Sequence, residues 1–196
     1  MKKDIKIGFD FDKVFVDYPP LIPDSLIDYI YKKHNHNLIY RIPGTIEQKI
    51  RLFFHLPAFR QPISNNIKIL KDFSSEKSAA LYLISGRLGF LKKRTDEWIK
   101  RNDIKKYFKD VYFNFDNHQA HLFKNSIIKK LAITHFIDDD LDLIKFVAKQ
   151  NPKVNFYWMR KAHKVHKNSK RYKEELAKNV TPVTNLKDVY SSIFKQ

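Results

Sequence analysis

The 196-residue sequence contains no cysteine. Disulfides, thiolate zinc centres and cysteine nucleophiles are therefore excluded. Glycine is scarce, at 4 residues, so a glycine beside polar residues marks a place where a side chain would be in the way. No stretch approaches the roughly eighteen uninterrupted apolar residues of a membrane span. The start, MKKDIKIGFDFDKVFVD, sets two lysines before apolar residues as a secretory signal does. Asp10 and Asp12 interrupt that run, however, and no small-residue cleavage site follows. The expectation is a soluble cytoplasmic protein with no membrane partner. Repeats and low-complexity linkers are also lacking. Apolar residues make up 43% of the chain, with 16 Phe and 10 Tyr, enough for a sizeable core and too many for a disordered chain. The length fits one domain with a modest insertion.

Acidic residues are few relative to basic ones, and the formal charge is +17. Clustered cations attract nucleic acid through counterion release. Of the 38 basic residues, though, 30 are Lys and only 8 Arg, and specific phosphate or base recognition favours arginine. The charge reads mainly as a solvated surface. The most basic block is residues 160–178, with 8 Lys/Arg against 2 Glu. Its nucleic-acid reading stands as an alternative, while His163 and His166 within it read as surface residues.

Residues 4–9 form a short β-type run ending at Asp10. Pro19, Pro20 and Pro23 follow, and Pro23-Asp24-Ser25 opens a helix to about Lys33. Residues 46–56 are amphipathic and bounded by Pro57 and Pro62, and 66–73 continue as a helix. The continuous apolar run 79–84 has the pattern of a buried parallel strand. It ends at Ser85-Gly86-Arg87, and a basic amphipathic helix follows over 88–101. Strands at 111–113, 135–137 and 154–158 alternate with helices at 125–131, 141–150 and 186–194. Such alternation predicts an α/β fold, a doubly wound three-layer parallel sheet with helices on both faces.

Three of these strands end in polar groups: Asp10-Phe11-Asp12, Ser85-Gly86-Arg87 and Asp138-Asp139. In open parallel sheets ligands bind beyond the carboxyl ends of the strands, so these groups should meet at one site. Four carboxylates on one sheet edge repel unless a hard cation lies among them, and Mg²⁺ is the natural occupant. With Ser85, Arg87 and a lysine such as Lys124, they would make a pocket for a dianion. The residues thus suggest metal-assisted phosphoryl transfer. Asp140 and Asp142 suit the N-terminus of the next helix, and Gly86 could simply supply an unusual turn angle.

The ordered set resembles the motifs of the haloacid dehalogenase-like (HAD) superfamily. IGFDFDKV is similar to its first motif and LYLISGR to its second. Lys124 in HLFKNSIIKKL stands at the third, and HFIDDDLDLI resembles the acidic fourth motif. Together they span about residues 5–143. SGRLGFLKKRTDEWIKRNDI followed by FIDD is similar to the small 5'-nucleotidase-like branch. The resemblance implies a Rossmann-like core of residues 1–17 and 66–196, with a small helical cap at 18–65 inserted after the first strand. It also implies a Mg²⁺-dependent phosphatase acting on a small phosphorylated metabolite such as a nucleotide. Nucleic-acid end processing is the alternative.

The implied roles fall on particular residues. Asp10 is the nucleophile that becomes an aspartyl-phosphate. Asp12 is the acid and base for the leaving group and the water. Lys124 neutralises charge, and Ser85, Gly86 and Arg87 bind the phosphate. Asp10, the Asp12 carbonyl and Asp139 ligate Mg²⁺, with Asp138 supporting it. The cap carries Arg41, Arg51 and Arg60, which suit an anionic substrate. In one departure from the pattern, Lys13 stands where the family usually has a small residue. There it would contact substrate phosphate or point to solvent.

Overall fold

The computed structural model describes residues 4–18, 32–34, 38–160 and 176–195. Six strands form one sheet, all parallel: β1 (Ile5–Phe9), β4 (Ala79–Ser85), β5 (Asp110–Phe113), β6 (His135–Asp138), β7 (Asn155–Met159) and β8 (Val180–Val183). Their order is β5-β4-β1-β6-β7-β8. From β1 the chain steps outward through β4 to β5, then crosses to β6 and steps outward the other way. This is the doubly wound arrangement, and its switch point is β1, between β4 and β6.

Side-chain alternation assigns each strand face to a layer. Leu81 and Leu83 of β4 point into a cluster with α2 (Ser64–Ser75), α3 (Lys92–Asn102) and α6 (Leu186–Phe194) through Leu70, Phe73, Trp98 and Val189. Tyr82 and Ile84 point the other way, against α4 (Ala120–Leu131) and α5 (Leu141–Gln150) through Ile127, Ile128, Leu143 and Val147. The first cluster is rich in aromatic contacts. Phe9 meets Phe73 edge-on at 5.2 Å and Phe108 at 6.1 Å, so Phe9→Ala would cost about 3–5 kcal/mol. On the opposite face a Cβ on Gly8 would sit 2.7 Å from the Phe136 ring. Glycine is there because the neighbouring strand's aromatic covers its backbone.

The predicted core strands and helices are present, with shifted ends. The strand read at 154–158 runs Asn155–Met159, and the helix read from 125 starts at Ala120. β8 was not anticipated because Pro182 interrupts its Val180-Thr-Pro-Val run. Among the described residues β8 is the edge strand of the sheet, a place that can hold a proline.

Between β1 and α2 lies the inserted segment. Its base is stitched shut: Asp17 N donates to Gln61 O at 2.9 Å, Ile63 N donates to Phe15 O at 2.8 Å, and Val16 bridges Pro62. The segment contains an antiparallel ribbon, β2 (Lys32–His34) with β3 (Leu38–Tyr40), and helix α1 (Thr45–Phe54). The helix read from Pro23 to about Lys33 is corrected at its end, where Lys32 and Lys33 pair with Tyr40 and Ile39 as strand. Its earlier residues lie outside the described ones, as do 161–175 of the basic block with His163 and His166. Among the described residues no helix is long and apolar enough to cross a membrane.

Candidate active site

β1 ends at Asp10, whose backbone N–H continues the ladder by donating to Ile137 O at 2.8 Å. This bond fixes Asp10 beside the end of β6, where Asp138 is fully buried. Lys124, from the second turn of α4, reaches between them. Its Nζ donates to Asp10 Oδ1 and to Asp138 Oδ2, both at 2.7 Å. All three side chains are buried. Burial works against the ammonium, but Asp10 and Asp138 outweigh it and raise the Lys124 pKa. Asp138 Oδ1 also accepts from Asp140 N at 3.0 Å, so Asp138 anchors the lysine and the following loop together.

Asp139 adds a third carboxylate. Ligand oxygens of Asp10, Asp138 and Asp139 all lie within 4.8 Å of one another. Burial raises the Asp10 pKa against the pull of Lys124, and the neighbouring carboxylates raise it further. Burial likewise pushes Asp139 up to about 7; Lys13 lowers it, while Asp138 and Asp140 raise it. Three carboxylates therefore compete for too little positive charge. An all-oxygen donor set whose members repel one another fits a hard divalent cation such as Mg²⁺.

Asp12 lies in the opposite environment. Arg87 grips it in a fork, Nε to Oδ2 at 2.8 Å and Nη2 to Oδ1 at 2.7 Å, and Arg60 also pairs with Oδ1. Burial would raise its pKa, but Arg87 and Arg60 outweigh burial and hold it well below the carboxylate range. Both arginines are themselves buried. Helix α3 positions them: Thr95 Oγ1 accepts from Arg87 Nη1 at 3.1 Å, and Trp98 Nε1 donates to Arg60 O at 2.7 Å. The same two cations, after burial, lower His55 to about 3.

Ser85 and Gly86 close the pocket between these flanks. Ser85 is buried at the end of β4, next to β1. All four glycines lie outside the left-handed region, so Gly86 is needed for space rather than for a turn angle. A Cβ there would approach Ala120 Cβ to 3.0 Å and Lys124 Cε to 3.8 Å, and its absence lets α4 bring Lys124 in. The inserted segment is tied to the core by Tyr40, whose N–H donates to Gln119 Oε1 at 2.8 Å and whose hydroxyl donates to Asp140 Oδ2 at 2.6 Å. Asp140 Oδ1 caps α5, accepting from Asp142 N and Leu143 N.

Asp10, Asp12, Ser85, Gly86, Arg87, Lys124, Asp138 and Asp139, the residues singled out in the sequence, thus line one cavity of about 140 Å³. Nothing in the sequence pattern assigns Arg60 to Asp12 or marks Tyr40, His55 or Gln119. All four sit in or against the insertion, where no spacing pattern announces them. Lys13 neither points to solvent nor stands alone: its Nζ is 3.1 Å from Asp139 Oδ2.

No family model matches the chain, and no curated protein matches its sequence. Solved structures do match its fold. YfnB from Bacillus subtilis, assigned to the HAD hydrolases and bound to magnesium, is 13% identical over all of both chains, with a TM-score of 0.62. A HAD-superfamily hydrolase from Ehrlichia chaffeensis is also 13% identical, covering 100% of this chain and 98% of that one, with a TM-score of 0.56. The fold is that of the HAD-superfamily hydrolases. A third neighbour, a HAD family enzyme from Bacteroides thetaiotaomicron, is an aspartate-to-alanine variant in complex with magnesium and inorganic phosphate. It is 13% identical over 81% of this chain and 95% of that one, with a TM-score of 0.52.

Proposed function

We propose that this chain is a Mg²⁺-dependent phosphomonoester hydrolase that works through an aspartyl-phosphate on Asp10. The observation that carries the reading is the triangle of Asp10, Asp138 and Asp139 at the end of β1 and β6, with Lys124 wedged into it. The HAD-type fold supports it, as do the magnesium bound to one neighbour and the magnesium and phosphate bound to another.

The residues divide the work by position. Lys124 holds one Asp10 oxygen and leaves the carboxylate oriented for in-line attack on phosphorus. Asp139, Asp10 and the Asp12 carbonyl are the groups that would hold Mg²⁺, with Asp138 steadying both Lys124 and the loop. When bound, the cation would neutralise the carboxylates and draw charge from the transferring phosphoryl group. Ser85 and the backbone at Gly86 and Arg87 receive phosphoryl oxygens. Asp12 gives a proton to the departing oxygen and later takes one from water. In the free protein Arg60 and Arg87 hold it as the carboxylate; the incoming dianion draws those guanidiniums to itself, and Asp12 then takes up from solvent the proton it gives. The cavity is small beside the roughly 300–1,000 Å³ of sites that enclose a whole ligand. It suits a phosphoryl head group, with the rest of a small metabolite lying toward Tyr18 and Tyr40 of the inserted segment, which we assign as the cap, and toward Phe90 of the core. Nucleotides are the first substrates to screen.

The test is hydrolysis of an aryl phosphate with Mg²⁺ and with chelator, in wild type and Asp10→Asn. Metal-dependent turnover that disappears in the variant is the expected result. Equal turnover in both proteins, or in chelator, would remove Asp10 or the metal from the reaction. A 5'-phosphorylated oligonucleotide, tested over a range of salt, distinguishes an end-processing enzyme from one acting on a small metabolite.

A further inference from the structure

The turn after the acid pair puts a cation where a metal ligand needs one. Lys13 has φ 57°, a left-handed conformation that carries a cost for any residue with a Cβ. The turn is nevertheless well fixed. Lys13 N donates to Val16 O at 2.7 Å, Phe15 N donates to Phe11 O at 3.0 Å, and Val14, Phe15 and Val16 are fully buried. The Cα–Cβ direction of Lys13 is therefore set by the core and not by its own side chain. That direction sends the ammonium to Asp139 Oδ2 at 3.1 Å, with both side chains only 16% exposed. The Tyr18 ring, 4.5 Å from Nζ, gives it a second contact.

Asp139 is also one of three carboxylates whose oxygens lie within 4.8 Å of one another. A carboxylate oxygen engaged by an ammonium has to give it up, or share it, to accept a metal in its place. We propose that Lys13 is a tethered competitor for the divalent cation: it partly neutralises the acid triangle in the metal-free protein and weakens Mg²⁺ binding by having to be displaced. This rests on the reading of the triangle as the Mg²⁺ site. Its consequence is a threshold, so that the site fills at a higher free Mg²⁺ concentration than the same three carboxylates would require without the lysine. The tether makes this competition independent of ionic strength to a degree that a free cation could not match, since the ammonium is held at the site by the chain.

The experiment is a direct metal-binding titration of the full chain with Mg²⁺ by calorimetry, repeated with Mn²⁺ by electron paramagnetic resonance. Lys13→Met keeps the Cβ and a stem of similar length and removes the charge. Lys13→Arg keeps the charge, and Lys13→Gly also relieves the left-handed backbone. Expected is a roughly five- to tenfold tighter dissociation constant for Lys13→Met and Lys13→Gly, with Lys13→Arg close to wild type. Equal affinity in wild type and Lys13→Met overturns the inference and leaves the metal site intact. Tightening in Lys13→Gly alone overturns it in favour of backbone strain. Absence of binding in every variant, with thermal unfolding showing them folded, overturns the metal reading of the triangle itself. Folding is checked without metal, where Lys13→Met gives up the Asp139 ion pair and the Tyr18 contact.

Discussion

The two flanks of the pocket are opposites in charge and in origin. On one side three carboxylates at the ends of β1 and β6 share two lysines, the buried Lys124 between Asp10 and Asp138 and the partly exposed Lys13 at Asp139. On the other side a single carboxylate, Asp12, is held by two buried guanidiniums, one from the end of β4 and one from the insertion. The first flank has an excess of negative charge that a dication can complete. The second has an excess of positive charge that a phosphate dianion can complete. A substrate phosphate lying between them would satisfy both at once, so metal and substrate should each favour the other's binding. The contrast also predicts how each flank fails: the acid flank through uncompensated burial, and the arginine flank through loss of substrate grip.

The largest effects belong to the acid flank. Asp10→Asn should lower turnover by at least roughly 10³-fold, measured on an aryl phosphate, while leaving the fold's thermal transition near that of wild type. Lys124→Met should abolish turnover and also destabilise the metal-free protein by about 3–5 kcal/mol, since it leaves Asp10 and Asp138 buried without their cation. Mg²⁺ should restore part of that stability, and chemical unfolding in metal and in chelator measures the difference. A Lys124→Met protein as stable as wild type in chelator would mean that the carboxylates are already protonated there and that Lys124 carries no structural charge.

Effects on the arginine flank should be smaller and should appear in substrate affinity. Arg87→Met removes a two-pronged pair and a contact with Thr95, for an expected loss of roughly 10²-fold in kcat/KM. Arg60→Met removes one contact with Asp12, and roughly tenfold in KM is expected, with kcat changed less. If Arg60→Met instead raised kcat with KM unchanged, Arg60 would be restraining Asp12 and not gripping the substrate.

The same contrast explains how much of the molecule was legible in its sequence. Asp10, Ser85 and Asp138 follow apolar strand runs directly, so a parallel sheet had to bring them to one edge, and Lys124 could be placed by its order among them. Arg60 could not be read that way. It lies in an insertion whose ends are joined by the pairing of residues 15–17 with 61–63, and its contact with Asp12 depends on Trp98 holding its carbonyl. Lys13 was visible as an unusual residue, but its target, Asp139, is set by a turn of left-handed geometry that no apolar pattern encodes. β8 was hidden by Pro182, and the β2–β3 ribbon by a lysine-rich stretch that reads equally well as a helix end.

The smallest effect tests the arginine flank without any substrate. His55 is buried, and its Nδ1 is 2.7 Å from the carbonyl of Arg51. A carbonyl only accepts, so Nδ1 carries the proton and a neutral ring has Nε2 bare. Burial, then Arg87 and Arg60, lower its pKa from 6.5 to about 3, against the weaker pull of Asp12 and the Arg51 carbonyl. A histidine depressed in the folded state binds fewer protons there than in the unfolded chain. Its contribution to stability is therefore present above about pH 6.5 and is lost as the pH falls toward 3, at up to about 1.4 kcal/mol per unit. Asp139, raised by burial in metal-free protein, has the opposite slope over part of that range, so the wild-type curve alone would not isolate His55. The difference between wild type and His55→Gln does, because Gln keeps a donor for the Arg51 carbonyl and cannot titrate. Urea unfolding at pH 4, 5, 6 and 7 in chelator should show the variant losing less stability with acid than wild type. Parallel curves would mean that His55 is protonated in the folded protein, and that Asp12, not the two guanidiniums, dominates the field on that flank.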